Sequence, residues 1–283
     1  MKLKYAGSVL IMIIMCVLMT ACGPGEKKST GGKGDKKEFK FPIETSNNGK
    51  AVSGGTLKVA MVKDSPIVGI FNFAMYKDGY DGDILDWFVG GYILDVDENF
   101  EVTDTGMATL TVDAPNKKAT IKIKDGMKWS DGQPVVADDV IYTYEIIGNK
   151  DYTGVRYNSN YQNIEGMDKF HSGEASSISG VEKLDDYSVK LHFKQMRPSM
   201  QLAGGALPYY VMPKHIFSTI PVAEWEKSDY VRGTKGVGLG PFKIDSITPG
   251  ESVTLVPNEH YYKGRAKLDK VVMEVVSPDT IVS

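Results

Sequence analysis

Residues 120–148, TIKIKDGMKWSDGQPVVADDVIYTYEIIG, constrain the fold more tightly than any other part of this chain. Ile121 and Ile123 alternate with lysines, and this period of two predicts a half-buried β-strand. Two Asp-Gly pairs follow and predict tight turns, because glycine tolerates positive φ and aspartate can hydrogen-bond its local backbone. Trp129 lies between the turns, where its large ring can hold both against a core. This order of elements predicts a mixed α/β domain.

A helix is predicted directly after these turns, over residues 137–147. Asp138 and Asp139 suit the positive end of its dipole, and Gly148 is a suitable stop. The sequence WSDG-x-P-x-x-A-x-D-V, which leads into this helix, resembles the hallmark of the family 5 extracellular solute-binding proteins, the receptors of ABC importers. Val136 departs from the family pattern, which often has a Thr or Ser there that could cap the helix.

Two motifs near the end of the chain resemble the same family. Residues 236–242, GVGLGPF, resemble its G-T-G-P-Y/F turn, and residues 258–264 resemble its N-x-x-Y-Y/W-x-G element. The glycines also resemble a dinucleotide-binding loop, but such a loop must be followed directly by a helix. Because Phe242 begins a predicted strand instead, we expect a turn. The resemblance covers residues 54–276 through several motifs in order.

The resemblance implies an α/β fold of the type II periplasmic-binding-protein class, a clamshell of two lobes with an α+β subdomain inserted in one lobe. It divides the chain into lobe I at residues 54–87, the inserted subdomain at 88–199 and a continuation of lobe I at 200–283. Family members run to roughly 500 residues, and closing a cleft needs two lobes, so we expect an N-terminal fragment that lacks the second lobe. We expect one lobe alone to bind ligand weakly or not at all.

Apolar alternation predicts further strands along the chain. The predicted strands and hairpins are residues 55–60, 109–124, 181–193, 242–244 with 253–255, and 271–276. Residues 85–94 fit either a buried helix or a strand, and the resemblance favours a helix.

The ligand-binding residues are implied by the resemblance alone. The loop after the first strand resembles the region that lends main-chain contacts to a peptide, and two tyrosines resemble pocket residues of the inserted subdomain. The residues so implied are Ser65, Ile67, Val68, Gly69, Ile70, Phe71, Tyr157 and Tyr161. Either tyrosine can instead be a half-exposed packing residue. Backbone recognition suits a receptor that accepts many peptide sequences.

The N-terminus has the pattern of a signal peptide at residues 1–21. Lys2 and Lys4 precede an apolar run over residues 9–19, which is too short to span a bilayer but suits a signal peptide. The small residues before Cys22 resemble a bacterial lipobox, in which the cysteine is diacylated. Lipid on Cys22 would anchor the protein on the extracytoplasmic face of the cell membrane. The alternative is an ordinary secretory signal with a chance cysteine.

A flexible tether is predicted at residues 22–53, of which residues 23–41 are rich in glycine and lysine. Such a segment cannot bury enough apolar surface to offset the entropy of ordering it. Its lysines either lie near anionic lipid headgroups or wall polymers, or are solvated without a partner.

Composition and missing motifs exclude several function classes. The 283 residues are 42% hydrophobic and 10% aromatic, which is ordinary for a globular protein. Loss of residues 1–21, which hold two lysines and no acidic residue, changes the net charge from −3 to −5, so nucleic acid is not an expected partner. Catalytic motifs do not occur, and the 4 histidines are scattered without ligand spacing. We therefore expect no enzyme, no metal site and no cofactor.

The sequence thus predicts a lipoprotein that captures oligopeptides through backbone contacts and delivers them to the permease and ATPase subunits of an ABC importer. We expect a monomer when the protein is full length. Two alternatives stay open: a surface adhesin or signalling lipoprotein of the same fold, and a nickel- or haem-binding member of the family.

Overall fold

The structure of the chain is a computed structural model, which describes residues 49–198 and 210–281. The described residues from Ala51 onward belong to one compact unit. The predicted signal peptide, Cys22 and most of the predicted tether lie outside the described residues, as do residues 199–209.

The described part of the chain alternates between strands and short helices. The strands are β1 (Thr56–Val62), β2 (Asp95–Val96), β3 (Val102–Thr103), β4 (Ala108–Asp113), β5 (Lys118–Ile123), β6 (Val181–Lys183), β7 (Ser188–His192), β8 (Phe242–Thr248), β9 (Ser252–Pro257) and β10 (Lys270–Val276). The α-helices are α1 (Gly79–Ile84), α2 (Ala137–Gly148), α3 (Ser159–Gln162), α4 (Met167–Ser172), α5 (Lys214–Phe217) and α6 (Asp229–Arg232). A π-helical turn at Leu85–Val89 continues α1, and 3₁₀ turns lie at Val222–Lys227 and Pro278–Thr280.

The longer strands pair into two four-stranded sheets. The first sheet has the order β1-β10-β9-β8, in which β1 and β10 are parallel and the other pairs are antiparallel. The second sheet has the order β4-β5-β7-β6 and is antiparallel throughout. These pairings confirm both predicted hairpins, the predicted strand pair and the predicted final strand.

The second sheet and α2 enclose the larger core. Ile121 and Ile123 of β5 are buried, as their alternation with lysines predicts. From α2, Val140 and Tyr144 lie four residues apart and pack into the same cluster. Trp129 is also buried there, so its ring holds the turns of the corner against the core as predicted. Full burial of an isoleucine or valine side chain stabilises the fold by roughly 1.5–3 kcal/mol.

The prediction of a helix over residues 85–94 is correct only in part. The helical segment begins earlier, at Gly79, where the Asp78 side chain accepts a hydrogen bond from the Tyr80 N–H at 2.9 Å. It ends at Gly90, whose φ of +65° breaks the helix. The segment beyond Gly90 is extended, because Tyr92 forms a β-bridge with a residue far along the chain.

Residues 236–242 form a loop that leads into β8, as predicted, and the loop crosses the helix end closely. The Gly240 N–H donates to the Val89 carbonyl at 2.6 Å. A Cβ atom on Gly240 would lie 2.3 Å from the Phe88 carbonyl oxygen, so only glycine permits this approach. The glycines of this motif therefore allow the loop to cross the helix end at close range.

The predicted division of the chain at residues 88 and 199 stays a prediction. The two four-stranded sheets share no strand, and Trp129 belongs to neither of them.

Candidate ligand-binding site

The loop predicted to contact ligand, residues 65–71, follows β1 and is partly buried. Its buried side chains are those of Ile67, Ile70 and Phe71, and its exposed residues include Ser65 and Val68. The apolar side chains therefore anchor the loop to the core, which leaves Ser65 and Val68 to face solvent.

Asp81 of α1 fixes the backbone of this loop. Its carboxylate accepts hydrogen bonds from the Gly69 N–H at 3.0 Å and from the Ile70 N–H at 2.8 Å. Burial raises the pKa of Asp81, and the two N–H donors oppose that shift. The next donor is engaged as well, since the Phe71 N–H donates to the Val231 carbonyl at 2.8 Å. These three N–H groups are therefore satisfied within the chain.

Tyr161, a predicted pocket residue, is buried in the larger core. Its hydroxyl lies 3.1 Å from the hydroxyl of Tyr210, and its ring lies 5.8 Å from that of Tyr144. Tyr157 packs against the same core and stacks on His171 at a ring distance of 3.9 Å. The structure thus brings Tyr161, but not Tyr157, into contact with a second group of aromatic residues.

That group is an aromatic patch formed by Phe73, Tyr76, Tyr92 and Tyr210. The Phe73 ring lies 5.2 Å from Tyr92, 5.7 Å from Tyr210 in a stacked arrangement, and 6.3 Å from Tyr76. The backbone supports it too, because Tyr92 and Tyr210 form an isolated antiparallel bridge. Tyr92 is 39% exposed, so the patch presents part of its apolar area to solvent.

Arg156 lies at the edge of the aromatic patch. Its Nε donates to the Phe73 carbonyl at 3.1 Å, and its guanidinium carbon lies 4.1 Å from the centre of the Tyr76 ring. A guanidinium in this position gains from cation–π attraction.

A carboxylate lies on the same surface. The Tyr92 hydroxyl donates to Asp86 Oδ1 at 2.6 Å. Partial burial raises the pKa of Asp86, while the Tyr92 bond and the charge of Arg156 lower it. The surface therefore combines the exposed Tyr92 ring, a cation and an anion, which is the mixture that orients a ligand with both apolar and polar groups.

The corner around Trp129 is structural. The Asp139 carboxylate accepts from the Trp129 Nε1–H at 3.1 Å, the Val136 N–H at 3.0 Å and the Lys214 N–H at 2.9 Å. Val136 has no side-chain group that could cap α2, as the sequence indicates. Asp139 instead ties the start of α2 to the Trp129 turn.

Neither a metal cluster nor a membrane helix occurs in the described ranges. In residues 49–198 and 210–281, no three His, Cys, Asp or Glu side chains are arranged to hold a metal ion. His192 and His215 each contact a single carboxylate, and His171 contacts a backbone carbonyl. Over the same ranges, no helix is long and apolar enough to cross a membrane.

Known proteins are similar in sequence to this chain. The family model for bacterial extracellular solute-binding proteins, family 5 Middle, matches residues 103–283. The oligopeptide-binding protein OppA of Lactococcus lactis subsp. cremoris (strain SK11) is 32% identical over 291 residues, covering 98% of this chain and 46% of OppA. The oligopeptide-binding protein AppA of Bacillus subtilis (strain 168) is 27% identical over 270 residues, covering 95% of this chain and 43% of AppA. The chain thus spans about half the length of the curated relatives it matches.

Solved structures agree with the sequence comparison. Lactococcal OppA, complexed with an endogenous peptide in the closed conformation, matches with a TM-score of 0.76 at 32% identity, covering 81% of this chain and 43% of that one. B. subtilis AppA in complex with a nonapeptide matches with a TM-score of 0.66 at 29% identity, covering 80% and 41%. These matches confirm the predicted periplasmic-binding-protein-like α/β fold, and the matching family and its OppA relatives are binding proteins and not enzymes. The chain belongs to the family 5 bacterial extracellular solute-binding proteins.

Proposed function

We propose that the chain contributes to an extracytoplasmic receptor that captures oligopeptides and delivers them to the permease of an ABC importer. The aromatic patch carries this proposal, because it presents partly exposed rings beside Arg156 and Asp86. A peptide offers apolar side chains for the rings and charged or polar groups for the two ionic residues. The solved relatives that hold peptides, OppA and AppA, support this choice of ligand.

The residues implied by the sequence take different parts in this proposal. Ser65 and Val68 are exposed positions of the loop after β1 whose side chains are available to a peptide, whereas the Val68 carbonyl accepts a hydrogen bond from Arg232 at 3.0 Å. Tyr161 acts from behind the patch through its bond to Tyr210. The remaining loop residues, Ile67, Gly69, Ile70 and Phe71, hold the loop in place, and Tyr157 stands apart from the patch.

The same proposal includes a lipid anchor on Cys22. A charged start, a short apolar run and small residues before this cysteine support it. Two acyl chains hold a protein on a membrane far more firmly than one does. The receptor would then work on the extracytoplasmic face of the cell membrane, next to its permease.

Nuclear magnetic resonance titration tests the ligand class on the chain expressed from residue 23. We expect a mixture of short peptides to shift the resonances of Tyr92, Arg156 and Tyr210. The tightest dissociation constants should be millimolar, and about 1 mM corresponds to about 4 kcal/mol of binding free energy. Tyr92→Ala should weaken binding. Tyr187→Ala is the matched control, since Tyr187 is 38% exposed and lies in the β6–β7 hairpin.

Of the two outcomes expected for one lobe, weak binding and none, this proposal commits to weak binding. It fails if peptides at about 10 mM leave all of these resonances unchanged, a limit that corresponds to binding weaker than about 3 kcal/mol. It also fails if Tyr187→Ala weakens binding as much as Tyr92→Ala does. Binding of a nickel salt or haem in place of peptide would favour the other ligand classes of the family.

A further inference from the structure

We propose that Arg156 is a binding residue for a carboxylate group of the ligand, an assignment that rests on the peptide-binding function proposed above. The ligand chemistry is that of an acidic side chain or of a peptide C-terminus. Arg156 lies in the segment between α2 and α3, at the edge of the aromatic patch.

Two contacts fix the guanidinium, and among the described residues they leave most of its donors unused. The Nε–H is bonded to the Phe73 carbonyl at 3.1 Å, and the guanidinium carbon stacks 4.1 Å from the centre of the Tyr76 ring. Neither contact involves the two Nη atoms, which carry four of the five N–H donors of an arginine. Arg156 is also half-buried. Its side chain is therefore ordered before a ligand arrives, which lowers the entropy cost of binding.

The other arginines of the described residues each use at least one Nη donor within the chain. Arg232 pairs with Glu226 at 3.1 Å, and Arg265 pairs with Glu259 at 2.8 Å. Arg197 donates to the Asn160 side chain at 2.9 Å. Arg156 has no carboxylate within 4.0 Å among the described residues. A half-buried guanidinium with an open fork is suited to bidentate binding of a carboxylate.

One internal competitor, Asp86, interacts with the charge of Arg156 but is held by another partner. Its Oδ1 accepts from the Tyr92 hydroxyl at 2.6 Å. Asp86 and Arg156 still interact through space, because the charge of Arg156 favours the ionised form of Asp86. Asp86 consequently weakens the electrostatic attraction between Arg156 and an incoming anion, but it does not occupy the N–H donors of Arg156. Removing the Asp86 charge should therefore strengthen carboxylate binding, which is the opposite of the effect of changing Arg156.

Three tripeptides distinguish the carboxylate sources. They are acetyl-Ala-Gln-Ala-amide, which is neutral, acetyl-Ala-Glu-Ala-amide, which has only a side-chain carboxylate, and acetyl-Ala-Gln-Ala, which has only a terminal one. We expect one or both charged peptides to bind the chain roughly 10-fold more tightly than the neutral peptide, as charge-assisted hydrogen bonds do. The favoured peptide identifies the source. The side-chain Nε–H resonance of Arg156 should shift with that peptide.

Variants separate recognition from folding. Arg156→Lys keeps the charge but loses the forked guanidinium donors. The preference for the charged peptide over the neutral peptide should therefore fall to roughly threefold or less, and the affinity for the neutral peptide should not change. Asp86→Asn should increase the preference. Arg265→Lys is the matched control, since Arg265 is an exposed arginine that pairs with Glu259, and it should change nothing.

Three outcomes overturn the assignment. Equal binding of all three peptides by the wild-type chain leaves peptide binding intact but refutes carboxylate recognition. A uniform loss of affinity in Arg156→Lys, for neutral and charged peptides alike, shows a structural role only. Absence of binding by every peptide refutes both this assignment and the proposed function.

Discussion

The hydroxyl groups of Tyr161 and Tyr210 lie 3.1 Å apart and join the buried core to the aromatic patch. Tyr161 is buried beside Tyr144, whereas the Tyr210 ring stacks on Phe73 at 5.7 Å with an interplanar angle of 16°. Burial raises the pKa of Tyr210 to about 12, so its hydroxyl is neutral near pH 7. A sequence-implied pocket tyrosine therefore reaches the patch through a second tyrosine.

A double-mutant cycle on these two tyrosines should reveal their coupling. Tyr161→Phe and Tyr210→Phe each leave one hydroxyl without its partner, and each should lower the free energy of unfolding by roughly 1–2 kcal/mol. The double variant should cost less than the sum of the two, because both hydroxyls are then gone. Urea denaturation measures all four proteins. Tyr187→Phe, on an exposed hairpin residue, serves as the control, and strictly additive losses would show that the bond contributes nothing.

Local sequence patterns were sufficient to predict elements of regular secondary structure. The alternation of Ile121 and Ile123 with lysines predicted a strand and its buried face, and both are observed. The helix over residues 137–147 was placed within one residue of its observed end. These features depend on periodicity and on nearby turn residues, which a single sequence displays directly.

The patch and its supports could not be predicted in the same way. Asp81 bonds to Ile70, 11 residues away, and Arg156 bonds to the Phe73 carbonyl, 83 residues away. Nothing in the local sequence around either residue reveals such partners, because both depend on how the chain folds back on itself. The helix end at Gly90 was missed for a related reason, since that glycine is required by contact with Gly240.

Asp81 should determine how firmly the loop at residues 65–71 is held. Asp81→Asn replaces one acceptor oxygen with an NH₂ group, so at least one of the Gly69 and Ile70 N–H groups loses its partner. We expect amide hydrogen exchange at these two residues to accelerate by about 10-fold or more, which corresponds to a loss of roughly 1–3 kcal/mol. Asp83→Asn is the control on the same helix. Equal protection in both variants would contradict the assigned role of Asp81.

Gly240 should tolerate no side chain. In Gly240→Ala the new Cβ would lie 2.3 Å from the Phe88 carbonyl oxygen, so the loop and the helix end must separate. We expect a loss of roughly 1–3 kcal/mol in the free energy of unfolding. In Gly79→Ala the Cβ meets nothing within 4 Å, and alanine favours the helix, so this control should be neutral or slightly stabilised. Thermal denaturation of the two variants makes the comparison, and a stable Gly240→Ala protein would refute the close crossing.

Cys22→Ala tests the proposed lipid anchor. Without the thiol no lipid can be attached, so the variant should be released into the medium or remain unprocessed. The measurement is fractionation of the expressing cells, followed by intact mass of the membrane-bound species. Cys16→Ala is the matched control, since Cys16 lies within the predicted signal peptide and should not affect anchoring. Membrane retention and mass that are the same in Cys22→Ala as in wild type would refute the anchor.

Asp139 should make part of the stability depend on pH. Burial raises its pKa above the ordinary value of 3.8, although three N–H donors oppose the shift. The folded chain therefore holds this proton more tightly than the unfolded chain does. The resulting contribution to stability is complete below the ordinary pKa and declines as the pH rises through 3.8 to the raised folded pKa.

Asp139→Asn isolates this contribution, because the amide does not titrate. The variant should be less stable than wild type by roughly 1–3 kcal/mol, since its NH₂ group faces at least one of the donors that Asp139 accepts from. The difference between wild type and variant should be largest at the acidic end and should narrow as the pH rises. Urea denaturation at stepped pH measures it. Asp138→Asn is the control. It removes only exposed ion pairs with Lys183 and Lys214 and should cost about 0–1 kcal/mol. A stability advantage of wild type over Asp139→Asn that grows with pH would show that burial does not govern the Asp139 carboxyl.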